Sequence, residues 1–421
     1  MTVATHTISD IIKNLPPNPR IVTAMAAAEP GLFFQHLSES HEGFEGAQIF
    51  CANPSRDYPC FQGEKPYDLV VMFLTSVVTH FQGHGPIAYA PQHLSQWARN
   101  LKSGGEIDVF WGVCTPPDKR GFVSMGPGAC YETEIRRAAK KVVLEINPNL
   151  PVTFGDTQVP VEQVDFFLDG PRELPTIQRP KPQDEDIQIA SYIESLIPEG
   201  ATLQLGIGKI PNAVGRALEH RRGLGIHTEM INDTMMDLFL KGAVDGRNKT
   251  IWPGKIVGSF AYGSSDLYDF IDKNPLVELQ PASVVNDPYR IGRNHRMVSI
   301  NTAVEVDITG QVCSESIGHL ELSGVGGAAE THLGAQRSEG GRGIIAIRSL
   351  TKKGDSKINL TLLPGAKVSI SRNDTDTVVT EHGIAELRGR SVKERVEALI
   401  NIAHPNHRYR LRKEAVEARY L

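Results

Sequence analysis

Glu229 stands in Gly223-Leu-Gly-Ile-His-Thr-Glu-Met-Ile-Asn-Asp233, where apolar Leu224 and Ile226 run into His227, Thr228 and a carboxylate. A short strand ending there would bring the carboxylate to the edge at which open parallel sheets bind ligands. In that place it could be a nucleophile, a base or a metal ligand. The same residues could instead open a helix, with Thr228 or Asn232 as N-cap and Glu229 answering the helix dipole. The pattern alone leaves both uses open.

Two glycine-rich segments could face such a carboxylate. Leu205-Gly-Ile-Gly-Lys-Ile-Pro211 lies between a predicted strand and a predicted helix. Gly206 and Gly208 allow unusual φ and close approach to bare backbone N–H groups, and the following helix N-terminus favours negative charge. The turn could hold a phosphate or an oxyanion forming at a carbonyl; a tight turn with glycines for steric reasons alone is the alternative. Ser323-Gly-Val-Gly-Gly-Ala-Ala-Glu330 superficially meets a dinucleotide pattern. The stretch before it is a poor buried strand, so a loop carrying an extended ligand fits better. The pairs His80/His84 and His404/His407 lack an accompanying Glu in zinc-binding order, and neither a P-loop nor a Gly-x-Ser-x-Gly elbow occurs.

The elements that must position these segments alternate along the chain. Short apolar runs predict strands at 20–23, 69–74, 107–111 and 142–146, then at 202–205, 255–257, 297–300, 343–347 and 367–370. Helical patterns occupy 135–141, 392–402 and the stretch after residue 186. Strand–helix alternation with nearly continuous apolar strands predicts an α/β protein of mainly parallel sheets. Four prolines between residues 169 and 184 predict an extended connector and a division into 1–182 and 183–421. Arg20–Leu37 can be laid over 201–218, matching Pro30 with Pro211 and Leu37 with Leu218, which suggests a duplicated α/β unit.

Composition narrows the function. The 421 residues carry 44 Lys and Arg against 49 Asp and Glu, a net charge of −5 that argues against a nucleic-acid partner. No apolar run is long enough to predict a membrane span, and the first residues do not look like a secretory signal. Five scattered cysteines predict reduced thiols in a cytoplasmic protein, with no metal site.

Taken together, the segments resemble the acetyl-CoA hydrolase/transferase family, specifically its 4-hydroxybutyrate CoA-transferase-like branch of family I CoA-transferases. The resemblance is carried by Thr115-Pro-Pro-Asp-Lys-Arg-Gly-Phe-Val-Ser124, Gln204-Leu-Gly-Ile-Gly-Lys-Ile-Pro211, Gly225-Ile-His-Thr-Glu-Met230, Ser323-Gly-Val-Gly-Gly327 and Val379-Thr-Glu-His-Gly-Ile-Ala-Glu-Leu-Arg-Gly389. It implies two open α/β domains facing a cleft, with Glu229 as covalent nucleophile. It also implies Gly206, Gly208 and Pro211 at an oxyanion turn, and Gly324, Val325, Gly326 and Gly327 beside the CoA and acyl groups. The implied activity is CoA transfer between short-chain acids through a glutamyl-CoA thioester, with acyl-CoA and a small carboxylic acid as substrates. No tightly bound cofactor is expected, and a cytoplasmic homo-oligomer is.

Three departures from the family pattern place Met25, Glu330 and Asp376 as possible acyl-pocket residues, at Ala24-Met25, Ala328-Ala-Glu-Thr331 and Asn373-Asp-Thr-Asp-Thr377. They leave the acid open: acetate, butyrate, 4-hydroxybutyrate, or a dicarboxylate such as itaconate paired with succinyl-CoA. Competing readings are an acyl-CoA hydrolase using the same glutamate, an NAD-dependent oxidoreductase using the 323–329 loop, and a catalytically silent CoA binder.

Overall fold

A computed structural model describes residues 3–81 and 85–421; His84 of the His80/His84 pair lies outside them. The chain forms two compact units. The first comprises Met1–Gln178, Glu229–Ile231 and Val257–Val285; the second comprises Arg179–Thr228, Asn232–Ile256 and Asn286–Leu421. The chain first leaves the first unit at residue 178, inside the proline-rich connector, and returns to it twice rather than dividing at one point. Glu229 belongs to the first return.

In the first unit seven strands form one sheet: β1 (Arg20–Thr23), β2 (Gln48–Cys51), β3 (Asp68–Val71), β4 (Ile87–Tyr89), β5 (Val109–Cys114), β6 (Lys141–Ile146) and β7 (Phe166–Asp169). Their order is β4-β3-β2-β1-β5-β6-β7, and every neighbouring pair is parallel. Side chains alternate between two cores, as the pleat requires. Ile21, Trp111 and Val143 enter one with Phe33, Phe34 and Leu37; Val22, Phe110 and Leu144 enter the other with Trp97 and Tyr131. Strands buried on both faces explain why β5 and β6 read as unbroken apolar runs.

The second unit repeats the plan with β8 (Thr202–Leu205), β9 (Gly225–His227), β10 (Met297–Thr302), β11 (Arg342–Ala346), β12 (Thr377–Thr380) and β13 (Gly383–Glu386). The order is β9-β8-β10-β11-β12-β13, parallel except for the last pair. The predicted strand at 367–370 is absent, and Ile370 makes only an isolated bridge to Val312. The helix Val392–Ile402 forms as predicted, fixed by a Ser391–Glu394 capping box.

Both sheets reverse their strand order beside their first strand, at β1/β5 and at β8/β10. Such a switch point opens a crevice outside the carboxyl ends of the strands. The residue after each first strand bonds across it in the same way: Ala24 N–H donates to Trp111 O at 2.9 Å, and Gly206 N–H donates to Ile300 O at 3.0 Å. The two turns differ in length. β1 ends at Thr23 and its helix begins at Gly31, whereas β8 ends at Leu205 and its helix begins at Lys209. Pro30 is therefore the N-cap of its helix, while Pro211 lies inside the first turn of Lys209–Ala217.

Three carboxyls lie fully inside the first unit: Glu29, Glu132 and Glu145. Burial pushes each up to about 7, from an ordinary value of 4.5. Their protonated forms suit the folded state, so their contribution is complete below about 4.5 and is lost as pH rises through 7. Thermal unfolding of wild type against Glu132→Gln at pH 5 and pH 8 checks this. The wild type should lose more stability across the interval, by up to about 1.4 kcal/mol per pH unit.

Candidate active site

The turn after β8 is held open by its own backbone. Gly208 has φ +115° and ψ −169°, a conformation that side-chain-bearing residues rarely adopt. An added Cβ there would meet nothing within 4 Å, so the backbone conformation and not crowding demands glycine. The turn leads into the helix Lys209–Ala217, whose N-terminus has no side-chain cap. Ile207, at its tip, is 56% exposed. Exposed backbone N–H groups beside open space can accept an anion or an oxyanion.

A buried polar network supports this turn from below. Ser299 Oγ donates to Gln204 Oε1 at 2.6 Å and lies 3.0 Å from Thr331 Oγ1, while Asn301 Nδ2 reaches Ser299 Oγ at 3.0 Å and Thr331 Oγ1 at 3.2 Å. Thr331 in turn donates its backbone N–H to Gly327 O at 2.9 Å. The network thus brings the Gly206–Gly208 turn together with the end of the 324–327 loop. Its sequence signal is Gln204, Ser299 and Asn301 within otherwise apolar strands, which pattern reading passed over.

The helix that follows Glu229 is capped by another residue. Asn232 is the N-cap of Asp233–Leu240, accepting from Thr234 N–H at 3.0 Å, and the same side chain reaches Gly206 O at 3.4 Å. Glu229, half-buried, instead precedes the two-residue strand Met230–Ile231, which pairs in parallel with Phe260–Ala261. Its carbonyl accepts from Ser259 N–H at 2.7 Å, fixing the main chain at the point where a nucleophile would need to be rigid.

The strand leading to it is braced by a buried lysine. Lys249, 4% exposed, donates from Nζ to Ile226 O at 2.7 Å and to Lys255 O at 2.8 Å. Trp252, at φ +49°, places its ring 5.9 Å from that of His227. Lys249→Met should lower stability by about 3 kcal/mol, since two buried carbonyls lose their donor. Urea unfolding checks the loss; a shift under about 0.5 kcal/mol would show that Lys249 does not brace the strand.

The remaining candidates are dispersed. Gly324–Gly327 follow a small antiparallel hairpin, Ser316–Ile317 with Leu320–Glu321, so the strand that a dinucleotide fingerprint needs is missing. Glu330 lies buried in the first turn of Ala328–Arg337, 3.5 Å from Asn286 Nδ2. Asp376 lies at the other end of the sheet from the Gly206 turn, just before β12, where it accepts from Gly343 N–H at 2.9 Å. Met25 is buried in the first unit, its N–H 3.4 Å from Glu132 Oε1. Among the described residues no group of three His, Cys, Asp or Glu converges in a way that could hold a metal. No helix among them is long and apolar enough to cross a membrane.

Within the second unit a cavity of about 970 Å³ opens beside Ile207, Gly208 and Lys209. Carboxyl ends of three strands reach it through Thr302, Arg348 and Glu381, with Lys352, Lys357 and His382 at its wall. Arg348 is aimed by buried Asp186, with Nε to Oδ1 at 2.8 Å and Nη2 to Oδ2 at 2.5 Å. Burial alone would raise the Asp186 pKa, but the Arg348 guanidinium and the Gln183 N–H together outweigh it and hold the carboxyl below its usual value. Burial, with help from Arg348, lowers the Lys357 pKa. None of these cations was legible as a site residue.

The chain matches the acetyl-CoA hydrolase/transferase N-terminal domain over residues 66–177 and the C-terminal domain over 263–415. It belongs to the acetyl-CoA hydrolase/transferase family. It is 39% identical to a succinyl-CoA:cyclohexane-1-carboxylate CoA transferase of Geobacter metallireducens, over 93% of this chain and 90% of that one. With a 4-hydroxybutyrate coenzyme A transferase of Clostridium kluyveri the identity is 38%, over 97% and 96%. The crystal structure of RipA from Yersinia pestis superposes with a TM-score of 0.91 at 28% identity, covering 99% of this chain and 98% of that one. The chain is thus an enzyme of CoA-transferase type, with the α/β fold and mainly parallel sheets that the resemblance implied.

Proposed function

We propose that this enzyme moves CoA between short-chain carboxylic acids by ping-pong chemistry on Glu229. The acids are of the acetate, 4-hydroxybutyrate or dicarboxylate kind, the last exemplified by itaconate with succinyl-CoA. The observation that carries the reading is local: Asn232 caps the helix Asp233–Leu240, and Glu229 opens the short strand Met230–Ile231, its carbonyl held by Ser259 N–H.

The steps balance without an external reagent. The Glu229 carboxylate attacks the thioester carbonyl, and the C–S bond breaks to give an acyl–glutamyl anhydride and CoA thiolate. The thiolate attacks the glutamyl carbonyl, forming the enzyme–CoA thioester and releasing the first acid with one oxygen from Glu229. The acceptor carboxylate attacks that thioester and the thiolate then takes the new acyl group, which restores Glu229. Thioester is exchanged for thioester, so the energy of the bond is kept. The oxyanion role that the resemblance implies for the Gly206–Gly208 turn would fall to the N–H groups after Gly206, since Gly206 N–H already donates to Ile300 O.

The cavity beside that turn suits the nucleotide end of CoA. It has the volume of a cofactor site, a helix N-terminus, and Lys209, Arg348, Lys352 and Lys357 in its walls. Binding energy gained there, far from the reacting bond, could support partial desolvation of the nucleophile. The working form expected is a cytoplasmic homo-oligomer.

The test is to add acetyl-CoA without an acceptor, reduce with borohydride and map the peptides by mass. A reduced side chain at Glu229 is expected. An unmodified Glu229 would sink the covalent mechanism, and steady release of CoA without any acceptor would make the enzyme a hydrolase.

A further inference from the structure

In the first unit a polar cluster sits beside Met25 at the carboxyl edge of the sheet. The longer turn after β1 carries Met25 and, through a tight 3-10 turn at Ala26–Ala28 with Ala26 at φ +52°, delivers Glu29 to the interior. Glu29 is 2% exposed and accepts from Ser55 N–H at 2.7 Å through Oε2. Its Oε1, the Ser55 hydroxyl and the hydroxyl of buried Tyr58 make no hydrogen bond of normal geometry. The Ser55 and Tyr58 hydroxyls nevertheless lie close enough to the Glu29 carboxylate to favour its charged form, as does the Arg56 guanidinium. Tyr262 faces the same group: burial raises its pKa first, then Glu29, while Arg56 and the Ser55 hydroxyl lower it.

This cluster is tied to the candidate nucleophile within one unit. Tyr262 N–H donates to Ile231 O at 3.1 Å, directly beyond Glu229 and Met230. Met25 and Phe260 belong to one large apolar cluster, and Met230 and Tyr262 pack against that cluster. An acyl chain leaving Glu229 along Met230 and Met25 would therefore end among hydroxyls and a guanidinium. Buried polar atoms with unfilled hydrogen-bond capacity are costly, and a ligand that fills them recovers that cost.

We propose that Glu29, Ser55, Arg56, Tyr58 and Tyr262 form the pocket for the far end of the acid substrate, and that the group it receives is a second carboxylate. The inference rests on the CoA-transfer reading above and narrows its substrate class. Burial pushes Glu29 up to about 7, and the Arg56 guanidinium, which also donates to Glu173 O, is the cation beside it. A second carboxylate could accept from Arg56 and from the Ser55 and Tyr58 hydroxyls. A plain hydrocarbon end would leave the Ser55 and Tyr58 hydroxyls without a bond of normal geometry.

The test compares succinate and butyrate, two four-carbon acids, as acceptors from acetyl-CoA. The wild type should favour succinate in kcat/KM by at least about tenfold. Arg56→Met should reduce that preference by about 30-fold, the value of a charge-assisted hydrogen bond in a buried setting. Arg56→Lys should restore part of it, and Tyr58→Phe should reduce it several-fold while preserving the stacking of that ring on Phe34. A wild type that favours butyrate, or variants that lower both acids equally, would overturn the proposal. If instead neither acid accepts CoA and no adduct appears on Glu229, the transferase reading itself has failed.

Discussion

Glu229→Gln should lower turnover by at least about 10⁴-fold, the scale seen when a covalent nucleophile is removed. Gln keeps the shape and volume of the side chain but presents no anionic oxygen, so no anhydride forms and no CoA remains on the protein. Glu229→Asp keeps the charge and shortens the reach by one methylene. A misplacement of about 1 Å costs about 10²-fold, so Asp should fall between Gln and wild type. Neither change should unfold the chain. The Glu229 carbonyl bond to Ser259 N–H and the pairing of Met230–Ile231 with Phe260–Ala261 are main-chain contacts that both variants keep. Single-turnover release of CoA from acetyl-CoA, with thermal unfolding alongside, separates chemistry from folding. Retained transfer by a homogeneous Gln variant would remove Glu229 from the reaction.

The order Glu > Asp > Gln has a physical meaning that a loss of activity alone lacks. A residue that only held the turn in place would tolerate Gln better than Asp, since Gln matches it in length. A nucleophile tolerates Asp better, since charge outweighs reach. The same two variants therefore distinguish a positioning role from a covalent one.

The Gly206–Gly208 turn was legible because its signal is local: two glycines, a lysine and a proline between a strand and a helix. The strands Arg20–Thr23 and Thr202–Leu205 were legible for the same reason, as apolar runs buried on both faces. The failure at 367–370 shows the limit of that signal. Lys-Val-Ser-Ile alternates as a strand should, but an extended segment becomes a strand only when a partner lies alongside. Here the sheet recruits Thr377–Thr380 instead, leaving Ile370 a single bridge. Arg348, Lys352 and Lys357 were hidden because they share one irregular segment after β11, which meets the turn before Lys209 only when the parallel sheet forms. Glu29 was hidden for another reason. In Ala-Ala-Ala-Glu-Pro it reads as a solvated residue before a helix, and only the 3-10 turn at Ala26–Ala28 sends it inward.

Those gathered cations carry the second large effect. Changing Lys352 and Lys357 together to Met should lower kcat/KM for acetyl-CoA by about 100-fold, as two phosphate contacts of 1.5 kcal/mol each would give. The cavity wall carries Lys209, Arg348, Lys352 and Lys357 against Glu185, Asp186 and Glu381, and Arg348 is already engaged by Asp186. The two lysines are therefore the charges whose removal most changes the balance seen by a phosphate. Arg348 is a poorer target, because its loss would strand a buried carboxylate. S-Acetylpantetheine lacks the nucleotide, so its kcat/KM should change by less than about threefold in the same variant. The loss with acetyl-CoA should also shrink at high salt, as exposed charge contacts do. Equal losses on both thioesters would mean that the substitutions disturb the Gly206–Gly208 turn rather than a nucleotide site. No loss on either would place the nucleotide of CoA elsewhere on the molecule.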